Sequence, residues 1–237
     1  STVDPTICTP NNQILTATAN GNYTRTYQWY KDGSSLGATA TNSTYTASAS
    51  GSYHCIVTNP CSSYTSTAST LTITPYLHGT FTVGGIAPDY ANIQAAVDAL
   101  SCGIDGPVIF NIRSGTYNEQ ITIPQVIGVS ALNTITFQSE TGNRNDVVLS
   151  YPSSGVVGNN FSIQINGSDY IIFNNMTIER TGANTYATVV LVVGDASYNT
   201  FNNVKFSGRT VSFSNKAALV YTDDNNTGTA NNTFDGC

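Results

Sequence analysis

Three short segments of the chain share one alternation of apolar and polar positions. They read Phe-Asn-Asn-Met-Thr-Ile from Phe173, Phe-Asn-Asn-Val-Lys-Phe from Phe201 and Phe-Asp-Gly-Cys from Phe234, so the phenylalanines are 28 and 33 residues apart. Units of this length, with apolar residues at alternate positions, predict a solenoid of short strands. The expected architecture is a right-handed parallel β-helix.

The register of these repeats also predicts which residues stack three positions after each phenylalanine. Equal positions in successive coils stack about 4.8 Å apart, so Met176, Val204 and Cys237 are expected to share one buried column. The last residue then lies inside a strand. Because an open coil edge leaves backbone groups unpaired, we expect the sequence to be a fragment whose coils continue beyond Cys237.

Paired asparagines follow each repeated phenylalanine, at 174–175 and 202–203. Asparagine tolerates the left-handed backbone conformation of tight turns, and stacked side-chain amides can hydrogen-bond from coil to coil. The asparagines are therefore interpreted as structural and not as ligand-binding residues.

Residues 1–75 carry a different pattern, with short alternating segments at 14–18, 27–30, 52–57 and 69–73 separated by turn residues. This pattern predicts a small β-sandwich. The segment Gly-Ser-Tyr-His-Cys at 51–55 resembles strand F of an immunoglobulin-type domain, with Tyr53 in the place of the tyrosine corner and Trp29 as the core tryptophan. Ala17 stands where that family has its first cysteine, so the usual disulfide between the sheets is missing.

Residues 76–79 are expected to form a linker, and residues 80–237 the N-terminal, capped part of the β-helix, truncated at its C-terminal end. An apolar stripe formed by Ile93, Ala96, Val97 and Leu100 predicts one helix behind a possible Asp89 cap. We interpret this helix as the cover over the end of the solenoid.

With this helix, two further segments carry a family resemblance: Ser-Cys-Gly-Ile-Asp-Gly-Pro-Val at 101–108 and Gly-Thr-Tyr-Asn-Glu-Gln at 115–120. They resemble the start of the pectin-lyase-like superfamily, which includes pectinesterases and polysaccharide lyases. The closer likeness is to modular surface proteins of Bacteroidetes-type bacteria, in which immunoglobulin-like modules and β-helices are strung together and exported. The resemblance implies an all-β fold and carries no chemistry by itself.

Composition agrees with an extracellular β-rich protein. Charged residues are 9% of the 237 residues, the formal net charge is −6, and Lys and Arg together number eight. Such a chain is a poor partner for nucleic acid or for anionic membranes. No apolar run approaches the length of a transmembrane helix.

The five cysteines are interpreted from their places in the predicted strands. Cys55 is expected to be a buried free thiol beside the core tryptophan. Cys8 and Cys61 could meet at one end of the sandwich, and a bridge between them is expected to stabilise by about 3–4 kcal/mol. That bridge would require an oxidising compartment. The two histidines and the cysteines form no zinc motif.

Candidates for chemistry are few. A pectinesterase has a catalytic Gln-Asp where this chain reads Gly-Arg-Thr-Val at 208–211, so the resemblance implies no esterase activity. A lyase would use a basic residue, for which Lys205 and Arg209 are candidates, and Ca²⁺ or an arginine to neutralise the acid. Asp195, Asp223 and Asp224 could supply oxygen ligands to Ca²⁺, although the loop at 223–224 is interpreted as solvated. Otherwise no cofactor or metal is expected. Exposed aromatics able to stack on sugars are Tyr186, Tyr198 and Tyr221.

The sequence therefore predicts a secreted, cell-surface structural or adhesive protein, with polysaccharide or another surface protein as partner and no catalytic residue in this stretch. Whether it is an enzyme stays open at this stage, and the pattern favours none for these residues. The alternative is a polysaccharide lyase or hydrolase whose active site lies on coils beyond residue 237.

Overall fold

The computed structural model describes residues 6–21, 23–156, 160–208, 217–222 and 229–237. The chain divides into two compact units, Ser1–Tyr76 and Leu77–Cys237. Residues 77–79, predicted as a linker, instead open the first strand of the second unit. Among the described residues, no helix is long and apolar enough to cross a membrane.

The first unit is made of short strands packed as two sheets. Its described strands β1–β8 are Thr6–Cys8, Gln13–Thr16, Thr26–Lys31, Ser34–Ser35, Thr44–Ala47, Gly51–Thr58, Ser63–Thr65 and Ser69–Thr74. The larger sheet has the order β1-β8-β6-β3-β4, with β7 also paired to β6, and the smaller one joins β2 to β5. Three of the four predicted alternating segments are strands over their whole length, and the segment 14–18 is a strand as far as Thr16.

The core of this unit lies around Trp29 and Cys55, which are register partners on β3 and β6. Both are buried, and burial raises the pKa of the Cys55 thiol. The Tyr53 hydroxyl donates to the Ala49 carbonyl oxygen at 2.6 Å, and burial raises the pKa of this phenol. The hydrogen bond ties the start of β6 to the turn before it.

The predicted Cys8–Cys61 disulfide is wrong, because Cys61 is an exposed free thiol. Cys8 on β1 is the strand-register partner of Thr74 on β8. Thr74 lies beyond Leu71, the residue of β8 that is opposite the first residue of β6. Cys61 instead follows the other end of β6, an eight-residue strand that spans about 26 Å. A disulfide requires Cα atoms within about 7 Å, so strand topology keeps these two cysteines apart.

The second unit is a parallel β-helix of the right-handed type with about five turns. Its described strands β9–β22 are Leu77–Val83, Ile104–Ile112, Gly115–Asn118, Ile121–Ile123, Ile135–Ser139, Val147–Pro152, Ile163–Asn166, Ile171–Asn174, Thr177–Thr181, Val190–Val193, Thr200–Asn202, Lys205–Ser207, Val220–Thr222 and Thr233–Asp235. Sheet one has the order β22-β19-β16-β13-β10-β9, sheet two β11-β14-β17-β20, and sheet three β12-β15-β18-β21. The four coils that begin at β10, β13, β16 and β19 each contribute one strand to each sheet, and β9 and β22 extend sheet one at its two ends.

The predicted coil register is confirmed. Phe173 pairs with Phe201, and Phe201 with Phe234, at the offsets read from the sequence. Met176 and Val204 are fully buried. Cys237 differs from the prediction, since it is an exposed thiol whose sulfur lies 3.3 Å from the Phe201 carbonyl oxygen.

One short helix, α1 (Ile93–Asp98), precedes the first full coil and is followed by a 3₁₀ turn over Ala99–Cys102. Its buried residues join the apolar core of the solenoid. The N-cap is Asn92, whose side chain accepts from the Ala95 N–H at 2.8 Å. The predicted Asp89 cap is wrong, because that carboxylate accepts from Thr82 of β9 instead.

Candidate functional site

Sheet one presents a long outer face whose polar residues follow from strand alternation. Its phenylalanines point into the core, so their neighbours on either side point outward. These neighbours form two columns that run from strand to strand: Thr80, Ile109, Thr136, Ile172, Thr200 and Thr233, and Thr82, Asn111, Gln138, Asn174, Asn202 and Asp235. We call this surface the amide face. Six strands at about 4.8 Å make it about 24 Å long.

The amides of this face are only partly used inside the protein. Gln138 donates its amide N–H to Asn111 Oδ1 at 2.9 Å, across one strand spacing. Asn111, Gln138 and Asn174 are half-buried, and Asn202 is exposed. A side-chain amide offers two donors and an acceptor with two lone pairs. The column therefore retains donors and acceptors that can reach a ligand laid along the face.

A stack of phenylalanine rings under the amide face fixes its geometry. Successive ring centroids are 4.9 Å apart for Phe110 and Phe137, 5.4 Å for Phe137 and Phe173, 5.0 Å for Phe173 and Phe201, and 4.9 Å for Phe201 and Phe234. Side-chain ladders of this kind are what holds a sheet flat against its natural twist. The outer columns repeat in the same register as the ring stack.

The turn asparagines have the structural role expected of them. Asn175 and Asn203 have φ of 54° and 51°, and Gly236 occupies the next turn with φ of 61°. Asn203 donates its amide N–H to Asn175 Oδ1 at 2.8 Å. Arg144 reaches the same turn and donates to Asn203 Oδ1 at 3.3 Å. These contacts brace the coil edge.

A pair of tyrosines lies just before the strands of sheet one. Tyr170 precedes β16 and Tyr198 precedes β19, and their rings stack with centroids 5.1 Å apart and planes 6° from parallel. Both residues have positive φ, 55° and 59°, and Tyr198 is 48% exposed. Tyr198 was a sequence candidate, whereas Tyr170 was missed although it lies one 28-residue repeat earlier.

The other sequence candidates lie on separate elements. Lys205 is exposed on β20 of sheet two, and Tyr221 is exposed on β21 of sheet three. Tyr186 is half-buried in the loop after β17, where its backbone bridges to Ser154. Arg209 and the acidic loop 223–224 lie outside the described residues.

Arg180 is a buried cation that the sequence did not single out. It is 2% exposed, and its guanidinium lies 5.2 Å from the Tyr151 ring centroid and donates to the carbonyl oxygens of Phe161 and Tyr186. Burial lowers the pKa of Arg180. The contacts join loops of the second unit, which is a structural role.

One exposed histidine has an acidic partner. His78 Nδ1 lies 2.8 Å from Asp105 Oδ1, in a shallow depression with Thr80, Pro107 and Ile109 at the start of sheet one. The sequence interpretation had placed this histidine in a linker. Among the described residues, no group of three or more His, Cys, Asp or Glu side chains could hold a metal ion.

Comparison with known proteins adds structural neighbours. No protein-family model and no curated protein matches the chain. Pectin methylesterase from Aspergillus niger, in its deglycosylated form, is similar at 19% identity with a TM-score of 0.45 over 69% of this chain and 57% of that one. Its penultimately deglycosylated form is 19% identical, with a TM-score of 0.44 over 68% of this chain and 56% of that one. A pectin methylesterase in complex with a hexasaccharide is 14% identical, with a TM-score of 0.39 over 66% of each chain.

This chain thus spans a little over half the length of the Aspergillus enzyme. The parallel β-helix itself is established by the strand register of this chain.

Proposed function

We propose that this chain is part of a secreted, modular cell-surface protein that binds a neutral polysaccharide along the amide face and acts as a stalk or adhesin. The modular surface proteins of Bacteroidetes-type bacteria are the proposed relatives. The observation that carries the proposal is the column of in-register amides formed by Asn111, Gln138, Asn174 and Asn202. Its amides repeat at the strand spacing and remain available to solvent.

The chemistry of the face matches sugar hydroxyl groups. Amides and threonine hydroxyls both donate and accept, which is what a hydroxyl-rich ligand requires. The stacked Tyr170 and Tyr198 rings lie next to the same strands and add an aromatic surface. Within the two outward columns the charged residue is Asp235. With a net charge of −6, the chain as a whole is expected to repel polyanions at low salt.

The accessory parts of the proposal are an immunoglobulin-like first module and a capping helix. The Tyr53 hydroxyl bond to the Ala49 carbonyl supports the tyrosine-corner assignment. The helix assignment is supported by Glu119, whose carboxylate accepts from the N–H groups of Ile93 and Gln94 at 3.2 and 2.8 Å and so joins the helix to the first coil.

Affinity electrophoresis in gels containing neutral or acidic polysaccharides tests the proposal. The chain should be retarded by at least one neutral glycan, and Gln138→Ala with Asn174→Ala should weaken retention by about tenfold, as two lost hydrogen bonds imply. The matched control is Gln164→Ala, because Gln164 is also a half-buried outward amide that contacts the preceding coil, but on sheet three. Equal loss in the control variant would refute the amide face as the binding site.

The same chain is proposed to be catalytically silent. Incubation with pectins and other uronates should release neither unsaturated products nor methanol above background. Turnover abolished by a single substitution would establish the enzymatic alternative instead.

A further inference from the structure

The first unit contains a cleft of about 880 Å³ between its two sheets. One wall is the uninterrupted run of residues 13–20, which includes β2, and the opposite wall is drawn from residues 62–69, which include β7. Side chains of a strand alternate between its two faces. A wall made of consecutive residues therefore exposes the backbone edge of the strand and not one of its faces.

The hydrogen-bond pattern shows which backbone groups of β2 face the cleft. In an antiparallel pair, opposed residues alternate between bonded and non-bonded pairs. The Ala17 N–H donates to the Ser43 carbonyl at 2.8 Å, and Leu15 pairs with Tyr45 two residues along. The odd-numbered residues thus use their backbone groups on β5. The N–H and C=O groups of Ile14 and Thr16 therefore point to the opposite edge, into the cleft, and the same alternation continued past Ala17 gives Thr18 this direction. The Ile14 carbonyl oxygen accepts there from the side-chain amide of Gln13 at 3.0 Å, a contact that an added strand would replace.

The opposite wall is also an edge. Strand β7 pairs with β6 on one side, and β1 pairs with β8 beyond it, so the outer side of β7 carries no described strand. Tyr64 on β7 is 77% exposed, and Ile14 across the cleft is 62% exposed. The floor is apolar, with Leu15, Trp29 and Val57 among the lining residues. No described strand pairs with either of these two edges.

The charges of the cleft add a constraint on its occupant. None of the lining residues is Asp or Glu, and the charged one is Arg25. Its guanidinium donates to the carbonyl oxygens of Asn20 and Gly21 and is thereby held at one end of the cleft. An anionic group at the matching end of a ligand would meet this cation.

We propose that the cleft binds an extended polypeptide strand from another protein by β-strand addition. The strand pairs with Ile14, Thr16 and Thr18, places alternate apolar side chains over Leu15 and Trp29, and directs an acidic residue toward Arg25. Main-chain bonds supply affinity in this mode of recognition, and pockets for alternate side chains supply selectivity. This site is independent of the amide face.

The test uses the full chain and a defined probe, an acetylated Thr-Val-Thr-Val-Thr-Val-Asp peptide amide. Calorimetry should detect binding, and hydrogen exchange should show protection of the amides of Ile14, Thr16 and Thr18. The same peptide with alternate N-methylated amides, which cannot donate to the edge, should bind at least about tenfold more weakly.

A matched pair of variants tests the edge itself. Thr16→Pro removes an N–H that faces the cleft and leaves the pairing of β2 with β5 in place, so it should lower peptide affinity by at least about tenfold. Thr16→Ala keeps that N–H and should bind as the parent does. Circular dichroism and Trp29 emission verify the fold of both variants.

Several outcomes overturn the proposal. The N-methylated peptide binding as tightly as its parent would do so, as would the absence of protection at these three amides. Protection produced by an oligogalacturonide but not by the peptide would identify a sugar site, and protection that rises with protein concentration alone would identify a dimer interface. If Thr16→Pro does not fold, the N-methylated peptide decides.

Discussion

Replacement of Phe173 tests the idea that stacked rings hold the solenoid in register. Phe173 is 1% exposed, and its ring lies between those of Phe137 and Phe201 at 5.4 and 5.0 Å, with planes 16° and 12° from parallel. Leucine keeps most of the apolar volume and removes both ring pairs. Each pair contributes about 0.5–1.5 kcal/mol beyond area burial, so Phe173→Leu should lower the free energy of unfolding by about 1–3 kcal/mol.

Phe173→Ala adds a cavity to the lost contacts and should cost about 3–5 kcal/mol. Urea unfolding followed by far-ultraviolet circular dichroism measures both losses. Trp29 is the single tryptophan and lies in the first unit, so its emission serves as an internal reference. Its transition should stay at the parent midpoint.

Ile172→Ala provides the matched control, because Ile172 is half-buried on the outer face of the same strand. Ile172→Ala should lower the free energy of unfolding by less than Phe173→Leu does. If Phe173→Leu changes the free energy of unfolding by less than about 0.5 kcal/mol, ring stacking adds nothing to simple burial. The role given to the ring stack in supporting the amide face would then fail.

Three further predictions concern other parts of the molecule. Gly128→Ala should lower the free energy of unfolding by at least about 2 kcal/mol, because Gly128 has a φ of 91° and an added Cβ would clash with the Ile104 carbonyl oxygen. The control Gly142→Ala adds a Cβ that meets no atom within 4 Å, so it should lower the melting temperature less than Gly128→Ala does. Iodoacetamide should label exposed Cys61 in the native chain, and buried Cys55 only in denaturant; equal rates would contradict the fold. Hydrogen bonds from Thr82 on β9 lower the pKa of Asp89. The carboxylate therefore stabilises the fold at neutral pH, and this stabilisation is lost as the pH falls through the folded-state pKa. Asp89→Asn should make the acid unfolding transition less steep, and a transition identical to that of the parent would refute this.

The sequence alone determined the coil register and the strand segments of the first unit. The repeat from Phe173 to Phe201 to Phe234 needed only the counting of apolar positions, because a solenoid stacks each position on its equivalent in the next coil. The left-handed turns at Asn175 and Asn203 could be predicted for the same reason, since few other residues tolerate that conformation. The local sequence pattern is enough to predict the structure where the same contact repeats from coil to coil.

Contacts between segments distant in the sequence were decided only by the tertiary structure. Asp89 was assigned as the helix cap from its position, but β9 placed Thr82 within its reach and Asn92 became the cap. Cys61 was matched to Cys8 without knowledge of which strand ends meet, and the parallel pairing of β1 with β8 separated them. Neither choice depends on residue type alone.

The candidate sites divide in the same way. The Asn174 and Asn202 pair of the amide column was visible as a repeat, but its extension to Gln138 and Asn111 required the register of β13 and β10, whose residues differ in type. The cleft of the first unit had no sequence signal. It arises because β5 is the one described strand that pairs with β2, and the pairing of a strand edge depends on the whole sheet.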